Sequence, residues 1–307
     1  MAKLRDRVQN ALDETRMLVL GAEVLLGFQY RSAFESGFEQ IPPLSRYMSM
    51  AALASLLAVV VLLVSPGAYH QIVEEGHDSR RLHDFTTTMM DVALLPFAAS
   101  LAISIFVMTE RLTGRSIGMA FGIASLVVAL FFWYGLEAIE KRNRAADDRG
   151  KYKVPDKDDG TPTRLKDKIK QVLTEARVVI PGAQALLGFQ LTIILMEGFD
   201  KVPMSSKYVH MASLAFIALS IVLLMTLAAY HRIVENGQDS ERFHAFAARI
   251  LLAAMAPLAI GIAGDVFVVF RKITASLPFA LICSTVTLLC FIGFWFLLPA
   301  YVKRSHS

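Results

Sequence analysis

Shifting the chain by 161 residues lays its second half on its first without a gap. LLGFQ at Leu25–Gln29 falls on LLGFQ at Leu186–Gln190. The stretch Tyr69–Phe85 (YHQIVEEGHDSRRLHDF) falls on Tyr230–Phe246 (YHRIVENGQDSERFHAF), and eleven of these seventeen positions are identical. Pro42 falls on Pro203 and Pro96 on Pro257. One offset held over such a distance marks an internal duplication. Whatever fold the unit adopts, the chain is expected to adopt it twice.

Composition decides what that unit is. Of 307 residues, 55% are hydrophobic and 19% charged, against about 45–50% and about 25% in soluble domains. The apolar excess lies in blocks about 20 residues long, the length of a membrane-spanning helix. Spans are predicted near 17–38, 47–69, 83–108 and 116–138, and again near 178–199, 208–230, 244–270 and 277–299. The first block, Met17–Phe38, contains Glu23, Arg31 and Glu35 and is weak by hydropathy; its copy, Val178–Phe199, is plainly apolar, and two copies of one fold should span alike. The expected fold is an all-α integral membrane protein with two parallel tandem repeats of four transmembrane helices, about eight spans. Four spans per copy leave both copies in the same orientation. The domains are 1–142, a linker at 143–163 rich in charge, Gly and Pro, and 164–307.

Lys and Arg orient the spans. Eleven lie in Ile139–Lys170. Lys3, Arg5, Arg7, Arg16, Lys303 and Arg304 fall on the same side of an eight-span chain, so the N- and C-termini are expected to be cytoplasmic. Leu4–Asn10 and Leu165–Gln171 read as short amphipathic lead-in helices on the inner face. Trp133, Tyr134 and Tyr301 suit interfacial belts. The first 16 residues are charged and lack the pattern of a cleaved signal. The net charge of +4 sits in tails and linker, which excludes a nucleic-acid-binding surface as the leading reading. Cys283 and Cys290 are seven apart on one predicted helix, about 10 Å along its axis, too far for a disulfide.

The repeated motif joins the second and third spans of each copy. Gly76 and Gly237 suit the left-handed residue that ends a helix. Asp78 and Asp239 are expected to cap the next helix, with Ser79 and Ser240 in its first turn. Tyr69 and Tyr230 suit an interface, and Arg81 and Arg242 can snorkel to headgroups. A turn has no need of His70, Glu74 and His83, nor of His231, Glu235 and His244. Histidine titrates near neutral pH, so these residues are candidates for sensing or relaying protons. His70, His77 and His83 lack a zinc spacing, and Gln238 replaces His77 in the second copy, so no metal is expected.

Charges inside the hydrocarbon mark cavities, pathways or ion pairs. On a helix, Arg16, Glu23, Arg31 and Glu35 fall within about 120° of one another. Arg31 and Glu35, four apart, can pair. The second copy has Gln184, Thr192 and Met196 where the first has Glu23, Arg31 and Glu35. Asp91 has Leu252 as its counterpart, and Asp265 has Ser104. Glu23, Arg31, Glu35, Asp91 and Asp265 are therefore the candidate transport residues, with Glu23 and Asp91 expected to line one hydrophilic path. Pro96 and Pro257, mid-span, are expected to kink the third helix of each copy.

The two-copy motif, with its GFQ element, resembles a family of small bacterial four-helix membrane proteins of unknown function, some of which carry a sodium/proton antiporter label. The resemblance covers nearly the whole chain and implies a multi-pass protein of the bacterial inner membrane. No phosphate loop, zinc motif or nucleophile elbow is present, so no enzyme activity and no cofactor are expected. The function expected is a proton- or monovalent-cation-linked transporter or channel, with H⁺ or Na⁺ and the lipid bilayer as partners. Its alternative is a membrane sensor or scaffold working through its cytoplasmic face. Parallel copies imitate a two-fold dimer, so the two halves are expected to complete one unit that single-copy relatives would build as a dimer; a homo-oligomer of the chain is a separate expectation.

Overall fold

The computed structural model describes residues 4–135, 165–233 and 240–306. Every regular element among them is helical. In the first half these are α1 (Leu4–Ser32), α2 (Pro43–Ile72), α3 (Arg80–Thr113) and α4 (Arg115–Leu130), the last running into a π turn at Phe131–Gly135. In the second half they are α5 (Leu165–Ile193), α6 (Met204–Ile233), α7 (Glu241–Thr274) and α8 (Leu277–Ile292). After α8 a π turn at Gly293–Leu297 leads into a helical tail, Leu298–His306. The bounds of α2 and α6, and those of α3 and α7, differ by 161 at both ends. The linker 143–163 lies outside the described residues.

Seven of these helices are long and apolar enough to cross a membrane: α2 to α8, with α4 and α8 counted through their π turns. The chain is thus a helical, multi-pass type of protein. The helix α1 does not meet that standard, because acidic and basic residues interrupt its apolar face. The lead-in segments are not separate elements. Leu4–Asn10 is the first part of α1 and Leu165–Gln171 the first part of α5, since no Gly or Pro interrupts either. The first span of each half also ends earlier than expected, at Ser32 and Ile193 rather than Phe38 and Phe199. Short helical turns follow at Ser36–Gln40 and Glu197–Asp200. Each holds a glycine, Gly37 or Gly198, and a proline stands just beyond, which turns the chain before the next helix.

Local chemistry sets the other boundaries. Ser79 and Ser240 cap α3 and α7, each accepting from a backbone N–H three residues on at 3.0 Å. The cap is thus the serine, one place after the predicted aspartate. Gly76 has φ +77, as predicted for a helix-ending glycine, and Glu75 beside it has φ +49. The joint between α3 and α4 uses Gly114 at φ +92; its counterpart between α7 and α8 is Ala275 at φ +54.

Within each half the first helix packs on the second and third, the second on the third and the third on the fourth. Between halves, α1 lies along α5, while α2 touches α5, α7 and the π turn after α8. The helices α2 and α7 are the most buried; α4 and α8 are outermost. Val127, Val128, Ile282, Val286 and Leu289 leave broad apolar faces exposed on those outer helices, the surface a bilayer would cover. Trp295 is fully buried and donates from Nε1 to the Val61 carbonyl at 3.0 Å, tying the second half to α2. Trp133 instead stacks on Phe97 of its own half, with ring centroids 5.6 Å apart. Tyr301 is exposed.

Candidate functional site

The seam between α1 and α5 holds buried polar groups, Glu23, Gln171, Glu175 and Gln190 among them. On α1, Val8, Leu12, Thr15, Val19, Ala22, Glu23, Leu26 and Tyr30 recur at helical spacing and are all buried. Most are apolar, as a packed face requires. Three are not, and they fall at separate heights along the axis.

Glu23 is fully buried, and neither carboxylate oxygen has a hydrogen-bond partner among the described residues. Its carboxyl lies against Gly182 of α5, where any Cβ would overlap it. The glycine therefore makes the room in which this carboxyl sits. A charge in such a place is costly, so ionisation there requires a partner to arrive.

Toward the end of α1, Tyr30 enters a network drawn from four helices. Its hydroxyl lies 2.9 Å from His210 Nδ1 on α6. His210 Nε2 lies 3.1 Å from the Gln190 carbonyl on α5. The Gln190 amide donates to both oxygens of Asp265 on α7, at 2.7 and 2.8 Å. All four residues are buried. Tyr30 and Asp265 also line a small cavity of about 10 Å³ with Leu26, Leu53, Leu57 and Ile262. Gln29 and Ser104, the counterparts of Gln190 and Asp265 at the same 161-residue offset, hydrogen-bond to each other in the first half. The same pair position therefore holds a neutral serine in one half and a carboxylate in the other.

At the opposite end of the seam, His70 Nδ1 meets Glu175 Oε1 of α5, and the Gln71 amide donates to Glu175 Oε2 at 2.7 Å. Both histidine and glutamate are buried. Gln171, one turn earlier on α5, donates to Asp78 at 2.5 Å. Lys168 Nζ lies 2.8 Å from His77 Nε2. The first-half hairpin is thus seated on the second half, and Gly76 sits so close to His244 that a Cβ would meet its Nε2 at 2.7 Å. Nε2 of His70 and Nε2 of His244 are both buried without a hydrogen-bond partner among the described residues. A cavity of about 40 Å³ lies beside Glu175, lined also by Leu12, Thr15, Pro66 and Met255. In the hairpin itself, Lys303 lies 2.7 Å from Glu75 and holds that carboxyl below the usual range by hydrogen bond and charge.

The remaining predicted residues are dispersed. Arg31 and Glu35 pair at 2.8 Å, as their spacing predicted, but on the exposed end of α1. Asp91 is on the exposed face of α3, where its backbone carbonyl accepts from Tyr134 at 2.5 Å. It is not brought together with buried Glu23, because the third helix turns that position outward rather than to the seam. Tyr69 stacks on Phe85 at 4.3 Å. Arg81 is exposed, Glu74 is half-buried, and His83 lies 3.4 Å from Asp84. Arg242 is exposed at the start of α7. Tyr230 and His231 belong to α6 but their side chains are outside the description; Glu235, Gly237 and Asp239 lie outside the described residues. Cys283 and Cys290 are free.

Sequence reasoning missed Tyr30, Glu175, Gln190 and His210. Gln190 was visible as the end of the repeated LLGFQ element. Tyr30 and His210 carry no repeated signal, since Leu191 and Ser49 are their counterparts, whereas Glu175 repeats Glu14 outside the repeated LLGFQ and hairpin elements.

Comparison with curated proteins and with solved structures returned no match. One family model matches twice, over residues 2–137 and again over residues 158–299, and its description is a family of unknown function. With both halves matched, the chain belongs to the DUF6328 family.

Proposed function

We propose that this protein is a proton- or monovalent-cation-linked membrane transporter or channel whose path follows the seam between α1 and α5. The carrying observation is Glu23, a fully buried carboxyl with neither oxygen hydrogen-bonded among the described residues, standing between two buried polar clusters. Such a group changes charge only together with a proton or a cation. The His70–Glu175 and Tyr30–His210–Asp265 clusters flank it along the seam, with Glu23 roughly 10–14 Å from either level at 1.5 Å per residue. Gaps of that length need water or side-chain motion to be crossed. The candidate path therefore keeps Glu23 and Asp265, adds Tyr30, His70, Glu175 and His210, and leaves out Arg31, Glu35 and Asp91.

The arrangement in the bilayer belongs to the same proposal. The helix α1 would cross as an eighth span, shielded by α5 rather than by its own apolarity. The halves would be parallel repeats of four spans with both termini cytoplasmic, by the Lys and Arg distribution, in a cell inner membrane.

Proteoliposomes carrying a pH-sensitive dye test the reading. A pH gradient or a Na⁺ gradient should relax through wild-type protein, and Glu23→Gln should abolish the flux while leaving the protein folded. Flux undiminished in Glu23→Gln would remove Glu23 from the path. No flux of H⁺ or any monovalent cation would reject transport and favour the sensor or scaffold alternative.

A further inference from the structure

At the end of the bundle away from the hairpins, the turn after α1, the start of α2 and the last turn of α7 surround a polar cavity of about 200 Å³. Phe38, Glu39, Arg46, Lys272 and Ile273 line it. Three facts make this more than a charged surface. The Lys272 side chain is only 12% exposed, and its ammonium is 2.8 Å from Glu39 Oε1. Lys201 holds the other oxygen of Glu39 at 2.9 Å. Arg46 takes no part in this pairing, and its Nε is buried without a hydrogen-bond partner among the described residues.

The charges do not cancel. Of the residues that line the cavity, Arg46 and Lys272 oppose Glu39, which leaves 2 − 1 = +1 there, and Lys201 pairs with Glu39 from outside the lining. Glu35 pairs with Arg31, and Glu110, which is not in the lining, accepts from Ser45. Arg111 adds further positive charge at the rim, donating to Gln40 at 3.4 Å. A planar guanidinium whose Nε–H has no partner among the described residues, beside an ammonium, matches the oxygens of a phosphate-like anion. Drug-sized ligands occupy roughly 300–1,000 Å³, so this volume suits a compact group.

We propose that this cavity binds an oxyanion of the phosphate type, with Arg46 and Lys272 as its ligands. Glu39 is the internal carboxylate that occupies Lys272 when the site is empty. The oxyanion can be free phosphate or the phosphate of a lipid headgroup, since the cavity lies at the helix ends, where headgroups would be. This site is independent of the proton-linked reading and stands or falls without it.

Two arms separate the sources. In one, inorganic phosphate is titrated into detergent-solubilised protein by calorimetry. In the other, retention of phosphatidylglycerol against phosphatidylcholine is measured by native mass spectrometry. The variants Arg46→Gln and Glu39→Gln are expected to act in opposite directions. Losing a charged hydrogen bond at Arg46 should weaken binding by at least about tenfold, whereas freeing Lys272 from Glu39 should tighten it. Phosphate binding with this pattern identifies a soluble anion; the pattern seen with phosphatidylglycerol alone identifies a headgroup. Binding in neither arm, or unchanged affinity in Arg46→Gln, overturns the site. Should Arg46→Gln fail to fold by circular dichroism, Glu39→Gln decides alone, and unchanged or weaker binding in it overturns the proposal.

Discussion

At the scale of single residues, Glu23 and Asp265 show how one side-chain type takes two structural forms. Asp265 is buried but held by the Gln190 amide through both oxygens. Glu23 is buried and neither of its oxygens is hydrogen-bonded among the described residues. A buried polar group left unsatisfied costs about 1–3 kcal/mol, so Glu23 is kept at the expense of stability, as functional groups often are. Glu23→Met, which keeps the unbranched shape without the carboxyl, should raise stability by roughly 1–2 kcal/mol. Thermal unfolding in detergent reads this. A destabilised Glu23→Met protein would mean that the carboxyl has a partner in the membrane-embedded state. The proposed function adds that the stabilised variant transports nothing.

At the scale of elements, the joints between helices differ between halves although the helices match. Gly114 and Ala275 occupy equivalent joints, and both take positive φ. An L-residue with a Cβ pays about 1 kcal/mol or more in that conformation, while glycine does not. Ala275→Gly should therefore stabilise the protein by about 1 kcal/mol, less the entropy that glycine adds to the unfolded chain. A shift in unfolding midpoint against wild type measures it, and a clear fall in midpoint would contradict the strain assigned to Ala275. The serine caps of α3 and α7 carry the same lesson. The motif Asp-Ser was legible as a helix start, but the capping oxygen comes from the serine, while Asp78 accepts from Gln171 of α5.

At the scale of the whole molecule, two polar clasps join the halves at opposite ends. One is buried, His70 with Glu175. The other is exposed, Glu39 with Lys201 and Lys272. Hydrogen bonds from Lys272 and Lys201, with their charges, lower the Glu39 carboxyl to about 2. Its unfolded value is about 4.3. A depressed carboxyl contributes stability above its unfolded value and loses it as pH falls through the folded value. The outer clasp should thus persist in mild acid and weaken between about pH 4 and pH 2. Acid unfolding of wild type against Glu39→Gln tests this: the variant should lose part of the pH dependence in that window. Identical acid profiles would show that the clasp contributes nothing in solution, the fate of many exposed ion pairs.

Much of this protein was readable before any coordinates. Hydropathy and one gapless offset establish a membrane-type helical chain with matched helices, because length and apolarity are local properties that each segment carries by itself. Arg31 with Glu35 and the left-handed Gly76 were equally legible, being contacts or conformations within a few residues. The position of the functional side chains was not. Which face of a helix turns inward depends on its neighbours, so Asp91 lies outside and Glu23 inside though both are carboxylates in predicted spans. Tyr30, Glu175 and His210 meet the residues of the repeated elements only through the packing of α1 along α5 and of the helices around them. Tertiary structure alone decided that seam. The sequence states what two copies share, and the pairing of unlike residues across them is a property of packing.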